Sequence, residues 1–230
     1  MSPNGGTESD SGPRGAVPGG WIGTDEAGKG DYFGPLVVAA VYVNDATASE
    51  LSDAGVRDSK RVSDRRSAEL AARIRSLCPT RVVAIGPERY NALYAEMRNL
   101  NRLLAWAHAR AIENLLADVD CQRVISDQFA DERVLQRALM AKGRAIHLVQ
   151  RPRAEEDVAV AAASLVARAE FLARLRQLST DVGVELAKGA GDPVLHAGAL
   201  LIRRHGTDVL AKVAKLHFRT TQVLTAAERQ

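Results

Sequence analysis

Apolar residues fall into short uninterrupted runs early in the chain and into helical stripes further along. Residues 21–25 and Leu36–Val43 (LVVAAVYV) are brief and rich in β-branched residues, which predicts two strands joined by a loop. Ser63 is placed to cap a helix through Cys78, on which Ala68, Leu70, Ala71, Ile74 and Leu77 recur at helical spacing. A strand at 81–85, a strongly amphipathic helix at 101–118, a strand at 123–126, a helix at 131–141 and a strand at 145–149 follow. The stretch 157–178 predicts a long helix whose first half, VAVAAASLVARA, is built from small residues and is expected to lie close against another element. Shorter helices fill 193–211. Strands alternating with helices predict an α/β fold with several strands in one sheet.

Composition sharpens the boundaries of that unit. Residues 1–20, MSPNGGTESDSGPRGAVPGG, hold almost no large apolar side chain and are expected to be a disordered leader, with the folded unit running from 21 to 230. Hydrophobic residues make up 46% and charged residues 26%, which excludes a fibrous or wholly disordered chain. Aromatics are only 4%, so Ala, Val and Leu must build the core, and platforms for stacking single-stranded bases are few. A net charge of +3 permits a polyanionic partner without specifying one. Cys78 and Cys121 lie far apart with no ligand spacing around them, so reduced thiols are expected rather than a zinc site. No apolar stretch has transmembrane length and the start is unlike a signal peptide, which predicts a soluble, cytoplasmic protein.

The chemistry gathers around the first loop. Asp25 and Glu26 stand side by side at a strand end, followed by Gly28, Lys29 and Gly30. Paired carboxylates offer oxygen ligands to a hard cation, glycines let the backbone approach a phosphate, and lysine adds a compact positive charge. Asp127 follows the strand ending ISDQF, and Glu155, Glu156 and Asp157 open the alanine-rich helix. Strand ends and helix starts on one sheet edge are where α/β proteins collect their sites. Carboxylates converging there repel one another unless cations neutralise them, which points to divalent metal and a two-ion phosphodiester hydrolysis. No Ser/His/Asp signature supports a covalent nucleophile.

These segments together resemble the type 2 ribonucleases H, and ribonuclease HIII more than ribonuclease HII. The likeness rests on DEAGKGDYFGPL at 25–36, RDSKRVS at 57–63, NLNRLLAWAHARAI at 99–112, SDQFA at 126–130, RAEEDVAVAAASLVAR at 153–168 and AKLHF at 214–218. Lys29 in place of arginine and the DYF insert mark the HIII branch. The resemblance implies a ribonuclease H-like fold, a central mixed sheet flanked by helices with further helices at the C-terminus. It also implies endonucleolytic cleavage of the RNA strand of RNA/DNA hybrids by a monomeric enzyme using two Mg²⁺ or Mn²⁺ ions. The family's acidic tetrad falls on Asp25, Glu26, Asp127 and either Glu155 or Glu156. Its substrate-contacting element falls on Gly28, Lys29 and Gly30, with Lys60, Asn99 and Asn101 as candidate phosphate contacts. Family members of the HIII branch usually carry an N-terminal domain that grips the hybrid. Only about twenty residues precede the first strand here, so the choice between long RNA tracts and single embedded ribonucleotides stays open, as does a noncatalytic hybrid-binding role.

Overall fold

The computed structural model describes residues 19–56, 62–128, 132–139 and 143–227. Strands β1 (Trp21–Ala27) and β2 (Leu36–Val43) form an antiparallel pair, with Asp25 opposite Ala39 and Ala27 opposite Val37. Strand β3 (Thr80–Ile85) pairs antiparallel with β2, while β4 (Arg123–Asp127) and β5 (His147–Arg151) extend the sheet parallel to β1. The order β3-β2-β1-β4-β5 makes a mixed five-stranded sheet. Its consequence for function is direct: β1, β4 and β5 all end at the same edge.

Alternate side chains of a strand face opposite sides, and both sides of this sheet are covered. Val37, Ala39, Val41 and Val43 enter a core with α1 (Asp45–Asp53), α2 (Asp64–Leu77), α6 (Val158–Val182), α7 (Asp192–His205) and α8 (Val209–Val213). Leu36, Val38 and Ala40 enter a second core with α3 (Pro87–Met97), α4 (Leu100–Leu116) and α5 (Glu132–Ala138). Burial on both faces explains why β2 reads as a continuous apolar run rather than an alternating one. Helix α9 (Arg219–Ala227) closes the described chain and buries Leu224.

The small residues of α6 do what their size allows. A Cβ on Gly23 of β1 would overlap the Ala159–Val160 backbone, so helix and strand pack at a distance only glycine and alanine permit. Asp157 caps α6 by accepting from Ala159 N at 2.9 Å, and Ser63 caps α2 as its position predicted. Three helices differ from the sequence reading. α1, α3 and α9 are short and bury few side chains, so their periodicity is too brief to register; α1 buries only Leu51. Strand β5 lies two residues later than expected, and Glu155 and Glu156 belong to a separate 3-10 turn (Ala154–Glu156) before α6 rather than to its first turn.

Candidate active site

Because Asp25 and Glu26 are consecutive in β1, their side chains leave the strand on opposite faces. Asp25 turns toward α6, where Ser164 hydrogen-bonds to it, and its Oδ1 also accepts from Glu26 N at 2.8 Å. Burial, reinforced by the neighbouring negative charge of Glu26, pushes the Asp25 carboxyl up to about 6. Glu26 turns toward α4. There His108 Nε2 donates to Oε2 at 3.1 Å and Lys29 Nζ donates to Oε1 at 3.0 Å. Burial opposes ionisation of Glu26, but His108 first and Lys29 second outweigh it and hold the carboxyl at about 2. The two adjacent carboxyls are therefore driven in opposite directions by their two faces.

His108 itself is fully buried, with Nδ1 at 3.0 Å from Thr24 Oγ1. A carboxylate only accepts, so the Glu26 contact assigns the Nε2 proton, and the Thr24 hydroxyl helps to fix the ring. His108 is not among the site residues expected from the sequence. Its signal was legible, since a polar residue on the apolar stripe formed by Leu104, Ala105, Ala111 and Ile112 needs a buried partner.

Asp127 ends β4. The parallel register Thr24 to Ser126 puts it level with Asp25, one strand spacing of about 4.8 Å away in the backbone. Its Oδ1 accepts from Ala154 N at 3.2 Å, which ties the strand end to the 3-10 turn holding both glutamates. Arg153, with φ of 57°, turns the chain into that position. Glu155 is half-buried against this corner, whereas Glu156 is exposed. Asp157 is occupied with the α6 cap and with Trp21 Nε1 at 2.9 Å.

The loop after β1 is fixed unevenly. Gly28 has φ of +85°, and a Cβ there would overlap the Pro35 carbonyl oxygen, so glycine is required. Gly30 meets nothing within 4 Å and has no positive φ, so unlike Gly28 it occupies no backbone conformation reserved for glycine, and its flank is open. Lys60 lies outside the described residues. Asn99 commits its side chain to capping α4, accepting from Arg102 N at 3.1 Å. Asn101 is exposed seven residues before His108, about 10 Å along the helix axis. α4 runs back along β1, since His108 meets its end while Glu113 accepts from Gly143 N near the start of β5, so Asn101 projects on the side of the carboxylates.

Thus Asp25, Glu26, Lys29, Asp127 and the 154–156 turn share one sheet edge. Among the described residues, no three His, Cys, Asp or Glu side chains close on a single point as a cage for an ion. The donor chemistry nonetheless fits a hard divalent cation: the groups are carboxylate oxygens, and the raised Asp25 carboxyl reflects burial and repulsion that a cation would offset. Cys78 and Cys121 are buried and free, away from any such role.

The family profile described as ribonuclease HII matches residues 22–221. A ribonuclease HIII of Protochlamydia amoebophila is 46% identical over 203 residues, covering 88% of this chain and 67% of that protein. Another of Chlamydia pneumoniae is 48% identical over 205 residues, covering 86% and 68%. Among solved structures, that of Bst-RNase HIII in complex with Mn²⁺ superposes with a TM-score of 0.85 at 36% identity, over 92% of this chain and 71% of that one.

Proposed function

The chain belongs to the ribonuclease HII family, and from that premise we propose that it cleaves the RNA strand of RNA/DNA hybrids endonucleolytically, leaving 3′-hydroxyl and 5′-phosphate ends. The observation that carries this reading is that Asp25 and Asp127 each follow the paired residues Thr24 and Ser126 at adjacent parallel strand ends, with Glu26 beside them and Glu155 on the adjoining turn. Asp25, Glu26, Asp127 and Glu155 would hold two Mg²⁺ or Mn²⁺ ions, which when bound supply an activated water and offset charge on the leaving oxygen. Glu155 is the fourth carboxylate in this account because it is half-buried at the corner where Asp127 meets Ala154, and Glu156 faces solvent.

The protein's own groups prepare that arrangement. Ser164 and Glu26 N orient Asp25, and His108 keeps Glu26 ionised and aimed. In this reading the left-handed turn at Gly28 shapes the loop, and the open flank of Gly30 is where backbone meets the ribose 2′-hydroxyl, the group by which a protein tells RNA from DNA. Lys29, paired with Glu26 in this structure, and the exposed Asn101 are the candidate contacts to neighbouring phosphates in this reading. A monomeric, cytoplasmic enzyme completes the reading; among the described residues no helix is long and apolar enough to cross a membrane.

A gel assay decides among substrates. Purified protein is incubated with a full RNA/DNA hybrid, a DNA duplex carrying one ribonucleotide, and plain DNA, with Mg²⁺ or Mn²⁺ and with chelator. The expected result is metal-dependent cleavage of the hybrid at many internal positions and intact plain DNA. Cleavage confined to the single-ribonucleotide duplex would replace the substrate assignment, and no cleavage of either would overturn the enzymatic one.

A further inference from the structure

Lys215 is fully buried, and its ammonium is met by main-chain oxygens. Nζ donates to Asp31 O at 2.7 Å and Gly34 O at 2.8 Å, with Phe33 O at 3.5 Å. The three protons of an ammonium match three carbonyls gathered from one four-residue stretch. The backbone around Lys215 runs along the same stretch: Lys215 N donates to Tyr32 O at 2.9 Å, Gly34 N donates to Val213 O at 2.8 Å, and Phe33 bridges Ala214. Gly189 holds the near end, its N donating to Asp31 Oδ1 at 2.6 Å and its O accepting from Tyr32 N at 2.8 Å. An apolar side chain would fill this volume without the cost of burying a charge, but it would leave the carbonyls unsatisfied in the core.

Residues 31–34 follow directly on 28–30, and Asp31 N donates to Gly28 O at 3.3 Å, so the clamped stretch is the base of the glycine loop. We propose that Lys215 is a positioning residue for that loop, its ammonium holding Asp31, Phe33 and Gly34 so that the 28–30 backbone is presented to the hybrid. The inference rests on the reading of 28–30 as a substrate contact. Deprotonation removes one donor and aims a lone pair at a carbonyl, which loosens the base. Burial lowers the Lys215 amine to about 7, against the opposing charge of Asp31, so the change falls within reach of ordinary assays. The titratable groups facing it are Asp31 from the loop, Tyr90 of α3 with its ring 5.7 Å from Nζ, and His217 on its own segment, which burial and Lys215 together make less basic. Tyr94 stacks on His217 with ring centroids 4.2 Å apart and lies one layer further out.

The test measures hybrid affinity by fluorescence anisotropy in chelator, and the single-turnover cleavage rate at saturating protein with Mg²⁺, from about pH 6 to about pH 9. For the native chain, Kd rises with pH through about 7, the ammonium form being the tight binder. Lys215→Met weakens binding about tenfold below that point, the factor that 1.4 kcal/mol carries, and flattens the pH dependence while the saturated rate stays within about twofold. Lys215→Arg, which keeps its charge, restores affinity toward native and removes the loss at high pH. His217→Gln leaves the native rise in place. A flat native profile, a rise that disappears with His217→Gln, or a Lys215→Met protein with native Kd overturns the proposal. If Lys215→Met does not fold, the native, Lys215→Arg and His217→Gln profiles decide on their own. Binding with the Lys215 dependence but no cleavage would sink the catalytic reading and leave this one standing.

Discussion

Two carboxyls one residue apart are held in opposite states by what covers each face of β1. Asp25, raised to about 6, is the simpler to test in metal-free protein. A raised folded-state value means that the stabilisation is present below the unfolded value of 3.8 and is lost as pH climbs through about 6. Asp25→Asn removes that loss, so it should be more stable than the native chain at pH 7.5 by an amount on the order of 2–3 kcal/mol, read as a higher thermal midpoint, and the gap should close below about pH 4. A variant less stable than native at neutral pH contradicts this. Glu26 runs the other way. His108→Leu leaves its carboxyl buried with Lys29 alone among the two partners described, so its value rises and the acidic limb of the pH–rate profile moves to higher pH. Loss of such a supporting hydrogen bond costs about 10–100-fold in activity. An unmoved limb would show that His108 only packs. Asp25 and Asp127 stand out in the sequence because each ends a short apolar run, and Glu155 and Glu156 because they precede the alanine-rich helix; the apolar stripe around His108 signals a buried partner without naming it, and the partners of Ser164 and Lys215 lie far away in sequence.

At the scale of elements, the long and strongly patterned segments were readable: β1, β2, α2, α4 and α6 lie where periodicity and caps put them. The 3-10 turn before α6 was not, because a left-handed Arg153 separates it from the helix and nothing in RPRAEED announces a non-glycine residue with positive φ. The consequence is chemical, since the break sets Glu155 against the β4 end rather than along the helix axis. The close approach of α6 to β1 makes a sharp prediction. Gly23→Ala forces a methyl into the Ala159 backbone, and overpacking of this kind costs about 1–3 kcal/mol. Urea denaturation should show a lower midpoint with an unchanged slope, and activity should fall as the Asp25 end of β1 shifts. Gly30→Ala, which meets nothing within 4 Å, should keep native stability and lose hybrid affinity; a stability loss there would point to a structural role instead.

For the whole molecule, topology does what no single segment can. Within the mixed sheet, the parallel strands β1, β4 and β5 reach one edge together, and the connection through α4 returns His108 beneath the first of them. The sequence order of the acidic residues foretold the edge, while the strand register that levels Asp127 with Asp25 required the structure. The central claim is that these carboxylates act together on an RNA/DNA hybrid, and the most direct measurement is the single-turnover cleavage rate of an end-labelled hybrid by native protein and by Asp127→Asn, each at saturating protein with Mg²⁺. Asp127→Asn is expected to fold and bind the hybrid but to cleave at least about a thousandfold more slowly, a barrier increase of about 4 kcal/mol. Cleavage by Asp127→Asn at close to the native rate would contradict it.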